Sequence, residues 1–293
     1  MIAQKIEQLD RILSNPSELS KNEDSFDQVL YSLHEHLSDP SYKEGMDNLR
    51  LKHPCIANEC TLQGRGYQKK YGYTGDFDMI DRMYTNHVST DESCSVWDNY
   101  FQKQPAPKAV RNRKKYFINK MTSLNNIGKQ VKVLNLASGP CRDILELFLM
   151  KEENSVFNFD CVELDTNAIE YATNLLEEYK EKVNFINKNI YRFNPDSGYH
   201  IIWSAGLFDY FDDKTFVRIL KRCIDANPKA KIIIGNFSNA NPTAPYMEII
   251  GEWFLNYRSP VKLLALAKEA GADPNKIDIE MEPEGVNLFL NIN

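Results

Sequence analysis

Residues 131–165, VKVLNLASGPCRDILELFLMKEENSVFNFDCVELD, decide how this chain is read. Residues 131–137 are a short apolar run of the kind that forms a buried strand. The run enters a turn of small residues, Ala137-Ser138-Gly139, in which only Gly139 is expected to take a positive φ. Pro140 suits the first turn of the next helix, where the N–H that proline lacks would have no intrahelical partner. That helix is expected at Arg142–Met150, and a second strand, Phe157–Glu163, ends in an acid. A nucleoside ligand requires this order: backbone that can come close, then a carboxylate about one βα unit later for the ribose hydroxyls.

Outward from this stretch the rhythm continues. Strands are expected at 183–189, 200–205 and Lys231–Phe237, with helices at 167–178 and Asp213–Ala226. Near-continuous apolar runs such as KIIIG suit a parallel sheet buried on both faces. The end of the chain changes pattern: 276–281 and 286–292 read as strands joined by Glu282-Pro283-Glu284-Gly285, an antiparallel hairpin. Upstream, Ile2–Leu13 and 24–37 carry apolar residues at helical spacing, 75–84 and 107–121 read as helical, and Pro16, Pro40 and Pro54 punctuate them. GRGYQKKYGYTG (64–75) reads as a glycine- and tyrosine-rich loop. Two domains are expected: a helical one at 1–125 and an α/β one at 126–293.

The bulk numbers narrow the functional classes. The 293 residues carry a net charge of −6, which disfavours a nucleic-acid substrate. Apolar residues make up 42% and charged residues 26%, an ordinary globular balance. No apolar run is long enough to cross a bilayer, and the N-terminal segment is amphipathic and acidic, so no membrane insertion and a cytoplasmic location are expected. The six cysteines form no CxxC pair. His53, Cys55 and Cys60 match no common zinc spacing, so no metal is expected.

Five buried strands, intervening helices and a closing hairpin resemble the class I S-adenosylmethionine (SAM)-dependent methyltransferase domain over about 130–293. This implies an α/β, Rossmann-like, seven-stranded, mostly parallel sheet with a C-terminal antiparallel hairpin. More narrowly, YGYTGDF (71–77), AVRNRKKYF (109–117) and GNFSNANPTAPYMEIIGEWFLNYRS (235–259) resemble a bacterial methyltransferase subgroup. That subgroup includes enzymes thought to make 3-hydroxy fatty-acid methyl ester signals, and similar chains include azetidine-2-carboxylate synthases, which cyclise SAM itself. The resemblance therefore implies SAM as cofactor more firmly than it implies one reaction.

The resemblance also assigns residues. Ala137, Ser138 and Gly139 depart from the usual three spaced glycines, yet can still hold backbone against the methionine part of SAM. Glu163 is assigned to the ribose hydroxyls with Leu164 beside it, while Asp165 caps the next helix. Asn189 stands where the family often has an acid for the adenine amino group, with Ile190 next to it. Ser204, Ala205 and Gly206 follow the fourth strand and leave room near the sulfonium. Of the two arginines on the helix at 107–121, Arg111 is preferred over Arg113 for a carboxylate, through the family's AVR element; Arg113 is expected to be a surface charge.

A sulfonium is already activated, so chemistry at such a site needs a positioned nucleophile and little else. The candidates for that chemistry are Tyr73, by cation–π attraction, and Asp76, for an ammonium group, on a loop expected to act as a lid, together with Asp209 and Tyr210 on the lip after the fourth strand. Asn236 and Tyr246 are candidates for substrate contact, and 246–257 is read as one helix with an apolar stripe. His200 reads as structural. Three functions compete: methyl transfer to a small molecule, at oxygen; cyclisation of SAM with release of methylthioadenosine; and non-catalytic SAM binding. A nucleic-acid methyltransferase is disfavoured further by the lack of an Asn-Pro-Pro-aromatic motif after the fourth strand. Oligomeric state is left open.

Overall fold

The computed structural model describes residues 2–124, 130–150 and 156–293. In chain order the described residues form α1 (Ile2–Leu13), α2 (Glu23–His34), α3 (Pro40–Lys52), α4 (Leu62–Gln68), α5 (Phe77–Tyr84), α6 (Glu92–Lys103) and α7 (Pro105–Ser123). Then come β1 (Val131–Leu136), α8 (Arg142–Met150), β2 (Phe157–Glu163), α9 (Thr166–Leu175), β3 (Val183–Asn187), β4 (Ile201–Ser204), α10 (Asp213–Ala226) and β5 (Lys231–Phe237). α11 (Ala244–Ile249), α12 (Pro260–Glu269), β6 (Ile277–Met281) and β7 (Asn287–Ile292) complete the chain.

These elements make two compact units, Met1–Lys108 with Pro242–Phe254, and Ala109–Asn241 with Leu255–Asn293. The boundary expected between 125 and 126 lies outside the described residues. The units divide the chain differently from a single cut: most of α7 goes with the sheet, and α11 goes with the helices.

In the second unit the strands follow the order β3-β2-β1-β4-β5-β7-β6. β1 to β5 run parallel; β7 is antiparallel to β5 and to β6. This is the expected Rossmann-like, class I methyltransferase sheet. Period-2 alternation sends side chains to opposite faces. Leu134, Leu136, Ile202, Ile232 and Ile234 pack with Phe216, Leu220, Leu263 and Leu266 of α10 and α12. Val131, Val133, Phe159, Trp203 and Phe289 pack with Phe117 and Met121 of α7 and with Ile144 and Leu147 of α8. The connection order reverses between β1 and β4, so the ligand crevice of such a sheet lies at their carboxyl ends.

The first unit is helical, and two of its segments differ from the sequence reading. Part of the expected loop 64–75 is α4, whose N-cap Thr61 accepts from Gly64 N–H at 3.1 Å. Gly64 is there for close approach: a Cβ would lie 1.9 Å from the Asn58 carbonyl oxygen. The helix expected over 246–257 stops at Ile249, because Glu252 turns left-handed (φ 47°) and Trp253 N–H returns to the Met247 carbonyl at 2.9 Å. The apolar period continues past the stop, which is why sequence spacing overruns it. α11 packs on α2, with Tyr246 against Phe26 and with His34 Nε2 2.9 Å from Glu248.

A disulfide adds a covalent tie the sequence reading did not address. Cys60 is bonded to Cys94, joining the segment before α4 to α6. His53 Nε2 meets Asp10 Oδ1 at 2.6 Å, and among the described residues no three His, Cys, Asp or Glu side chains gather as a metal site. No helix among them is long and apolar enough to cross a membrane.

Candidate functional site at the strand ends

The turn after β1 is more strained than its sequence suggests. Gly139 takes φ 55° as expected, but so do its flanking non-glycines, Ala137 at 52° and Cys141 at 54°. Left-handed backbone costs a Cβ-bearing residue energy, and such residues cluster where a ligand is held. The helix begins at Arg142, as expected, but Pro140 lies in the turn before it and not in its first turn. The reason lies across the crevice. Glu163 Oε2 accepts from Gly139 N–H at 3.0 Å, while its Oε1 accepts from Leu164 N–H at 2.8 Å and Asp165 N–H at 3.1 Å. These bonds pull the turn toward the end of β2. A carboxylate offers about four lone pairs. Three are used, so the free capacity of Glu163 is for one hydroxyl, not the two expected from its sequence position.

Beside Glu163, Leu164 is 58% exposed, an apolar surface left open at a strand end. Asp165 caps α9 by accepting from Asn167 N–H at 2.9 Å. Asn189 Oδ1 accepts from Tyr191 N–H at 2.9 Å, which fixes the turn carrying Ile190 and leaves the Asn189 oxygen one lone pair. Ser138 Oγ and Asn135 Nδ2, both near the end of β1, are buried with no hydrogen-bond partner among the described residues.

At the end of β4 the sequence-level assignments rearrange. Ser204 is fully buried and its hydroxyl donates to the Leu136 carbonyl at 3.3 Å, tying β4 to β1 instead of facing the crevice. The arginine that reaches Ala205 and Gly206 is Arg113: it is 4% exposed, and its Nη1 donates to the Ala205 carbonyl at 3.3 Å. A Cβ on Gly206 would lie 2.7 Å from that Nη1 and 3.5 Å from Asp209 Oδ2, so glycine is what admits the guanidinium. Arg111 instead lies near Glu284 of the hairpin turn, and burial lowers its pKa against that acid's pull. Residues two apart on a helix point in different directions, so only one arginine can share the sheet-facing stripe. Ala109, Val110, Phe117, Ile118 and Met121 are among the buried positions of α7, and Arg113 is in phase with them. That spacing was legible in the sequence and is the signal the AVR resemblance obscured.

Two buried carboxyls flank Arg113. Burial pushes Asp209 up to about 7, against the pull of Phe237 N–H, Arg113 and Arg258. Burial likewise pushes Asp143, in the first turn of α8, up to about 6, with Ile144 N–H, Arg113 and Lys114 opposing. Asp209 Oδ1 accepts from Phe237 N–H at 2.6 Å, so this residue also braces β5. Tyr210 next to it is 42% exposed.

Asn236 is fully buried and committed elsewhere. Its Nδ2 donates to the Phe237 and Asn256 carbonyls, and its Oδ1 accepts from Arg258 Nη1 at 2.7 Å. It is therefore an anchor for Arg258, a residue the sequence reading missed; both of its N–H donors are spent, and the side chain is fully buried. The other candidates belong to the helical unit. Tyr246 is 3% exposed and packs on Phe101, Tyr100 and Phe26, with its hydroxyl buried and without a hydrogen-bond partner among the described residues. Asp76 caps α5, accepting from Met79 N–H at 2.8 Å, and Tyr73 stands 37% exposed between the left-handed Gly72 and Gly75. His200, read as structural, is exposed at the entry to β4, where its Nδ1 accepts from Lys132 N–H at 3.0 Å.

No protein-family model matches the sequence, and no curated protein matches it. Solved structures match the fold. A possible exported protein from Bordetella parapertussis superposes with a TM-score of 0.61 at 15% identity, covering 74% of this chain and 78% of that one. Magnesium protoporphyrin IX methyltransferase from Synechocystis PCC 6803, with bound S-adenosylhomocysteine, superposes at 0.51 with 10% identity, covering 73% of this chain and 92% of that one. At such identities the likeness concerns architecture, and the chain has the class I methyltransferase fold.

Proposed function

We propose that the sheet unit binds S-adenosylmethionine and that the protein transfers its methyl group to a small-molecule acceptor, at oxygen. The observation that carries this reading is the bond from Gly139 N–H to Glu163 across a turn with three left-handed residues, at the switch point of the sheet. The residues fit the ligand. Glu163 has capacity for one ribose hydroxyl, Leu164 and Ile190 offer apolar surface to adenine, and Asn189 has a lone pair for its amino group. Ser138 and Asn135 hold idle buried polar atoms beside the turn, where the amino-acid end would lie. Arg113 offers a cation for the carboxylate. When bound, SAM supplies a methyl carbon on a sulfonium, already activated toward a nucleophile. The chain's part is to bind, orient and exclude water. Asp209, raised to about 7 by burial, can hold or release a proton near neutrality, as a hydroxyl acceptor requires.

The same carboxyl favours a second reading. In cyclisation the SAM amine attacks its own γ-carbon, the carbon–sulfur bond breaks, methylthioadenosine leaves and the amine proton passes to a base. Asp209 is a base of suitable strength for that transfer. The subgroup resemblance supports either outcome, in a cytoplasmic small-molecule biosynthetic enzyme.

Calorimetry with SAM and S-adenosylhomocysteine tests the binding. Glu163→Ala is expected to weaken both by about 10- to 100-fold, equivalent to losing one charge-assisted hydrogen bond. No binding by the wild-type protein, or no effect of Glu163→Ala, would sink the reading. Incubation with SAM alone separates the reactions: methylthioadenosine without an added acceptor means cyclisation, and S-adenosylhomocysteine only with an acceptor means methyl transfer.

A further inference from the structure

The helical unit closes one stretch of its chain twice. Cys60, in the segment before α4, is bonded to Cys94 in the first turn of α6. One turn further along α6, Asp98 is buried, and its carboxylate joins nearly the same two ends. Its Oδ1 accepts from Leu62 N–H and its Oδ2 from Ser89 N–H, both at 2.9 Å. Between these ties lie α4, the left-handed Gly72 and Gly75 on either side of Tyr73, and α5. A further turn along, Gln102 Nε2 donates to the Arg82 and His87 carbonyls at 3.1 Å each. α6 therefore holds this stretch by hydrogen bonds and by one bond that is covalent yet chemically reversible.

The two ends of the bridge are unequal. Cys60 is partly exposed and Cys94 is 2% exposed, so an incoming thiolate meets Cys60 first. Cys94 is the third residue of α6, where a helix N-terminus favours the thiolate form. Glu92 and Asp91 oppose that effect, though Asp91 spends Oδ1 on Ser93 N–H at 2.9 Å. A thiol that ionises readily leaves faster, so attack at Cys60 with departure of Cys94 is the favoured direction. The other thiols do not compete. Cys141, Cys161 and Cys223 are buried in the sheet unit. Burial raises the pKa of Cys55, which keeps it protonated and a poor attacker. Reduction has to come from outside the chain.

We propose that the Cys60–Cys94 bridge is a reducible latch on residues 61–93, opened at Cys60 by a dithiol, with Asp98 keeping the opened stretch in place. One thiolate of the dithiol attacks Cys60 Sγ, the S–S bond breaks, and Cys94 leaves as a thiolate that takes a proton from water. The second thiol then attacks the mixed disulfide, the dithiol closes on itself as a disulfide, and Cys60 is released as a thiol. Two electrons and two protons pass to the bridge, and the dithiol is oxidised. Opening removes the covalent closure, while Asp98 still joins Leu62 to Ser89. The stretch carrying Tyr73 loosens without the unit unfolding. The latch is independent of the function proposed for the strand ends.

The test uses the full chain without denaturant, dithiothreitol as the dithiol, and amide hydrogen exchange read by mass spectrometry. After reduction, alkylation should map to Cys60 and Cys94, and exchange over 62–89 should rise about tenfold while the sheet strands stay as protected as before. Re-oxidation with glutathione disulfide should restore the protection, and Cys60→Ser with Cys94→Ser should show the reduced pattern permanently. Glutathione, a monothiol, should be caught as a mixed disulfide on Cys60. Asp98→Asn should change exchange over 62–89 by less than about twofold with the bridge closed, and by about tenfold more once it is open. The proposal is overturned if dithiothreitol opens the bridge only in denaturant, or if opening leaves 62–89 fully protected. It is equally overturned if the sheet strands loosen as much, if glutathione is found on Cys94, or if Asp98→Asn acts alike with the bridge open and closed.

Discussion

The sheet unit and the helical unit treat buried polar groups differently. In the sheet unit two large buried side chains are fully consumed. Arg258, 3% exposed, gives Nε to Asp213, Nη1 to Asn236 and the Phe208 carbonyl, and Nη2 to the Phe211 carbonyl. Glu282 spends its carboxylate on the N–H groups of Glu284, Val286 and Asn287 and on Asn112 Nδ2. Idle atoms remain there too: among the described residues, Asn135 Nδ2 and Ser138 Oγ near the end of β1, and Thr122 Oγ1, Trp203 Nε1 and Asn287 Oδ1 elsewhere, are buried with no hydrogen-bond partner. In the helical unit, Arg50 Nε, both amide atoms of Gln63 and the Tyr246 hydroxyl are buried and have no partner among the described residues. Saturated networks define structure; a buried donor or acceptor left without a partner calls for another account, such as strain, an internal water or a functional contact.

The largest effect that could break this contrast is at Arg258. Arg258→Ala leaves Asn236 and two carbonyls without their donor, and should cost about 3–5 kcal/mol in urea unfolding. A loss below about 1 kcal/mol would mean the network is ornamental. Next is the covalent tie of the helical unit. The bridge spans a sequence separation of 34, and Cys60→Ser with Cys94→Ser should lower stability by about 2–4 kcal/mol, with the same loss in wild-type protein under reductant. An unchanged midpoint under reductant would count against the bridge as a stabilising element.

The Asp209 carboxyl sharpens the comparison through pH. Its folded pKa is raised to about 7, above the ordinary carboxylate value, so folding holds its proton. Its contribution is full below the unfolded value near 3.8 and is lost as pH rises through about 7; Asp143, at about 6, acts in the same direction. Asp209→Asn should therefore flatten the fall in stability between pH 4 and 8, read from urea midpoints across that range. An identical slope in wild type and variant would refute the assignment. The smallest effect is at the cap of α4: Thr61→Ala should cost about 1 kcal/mol, and a neutral result would show that Gly64 N–H finds another acceptor.

Much of the sheet unit was legible because its signals are local. Phe157–Glu163, Arg142–Met150, Asp213–Ala226 and Lys231–Phe237 fall where apolar runs and helical spacing put them. The hairpin follows from Glu282–Gly285, with Gly285 left-handed at φ 71°. The helical unit was read less well. GRGYQ looked like a loop because glycine is a poor helix former, yet both glycines sit in α4, Gly64 where the Asn58 backbone comes too close for a Cβ and Gly66 where the Gly251 carbonyl would stand 3.1 Å from one. In the site, the acid at the end of β2 could be found from spacing, but Arg111 was chosen where Arg113 reaches the strand ends.

Sequence alone determined the alternation of strands and helices, the parallel core, the hairpin and the position of Glu163, because hydrophobic period and turn chemistry act over a few residues. Tertiary structure alone decided which arginine of α7 faces β4, that Ser204 and Asn236 are spent on internal bonds, that Ala137 and Cys141 share the strain of Gly139, and that Cys60 meets Cys94. Each of those depends on which groups, distant in sequence, compete for the same donor, acceptor or space.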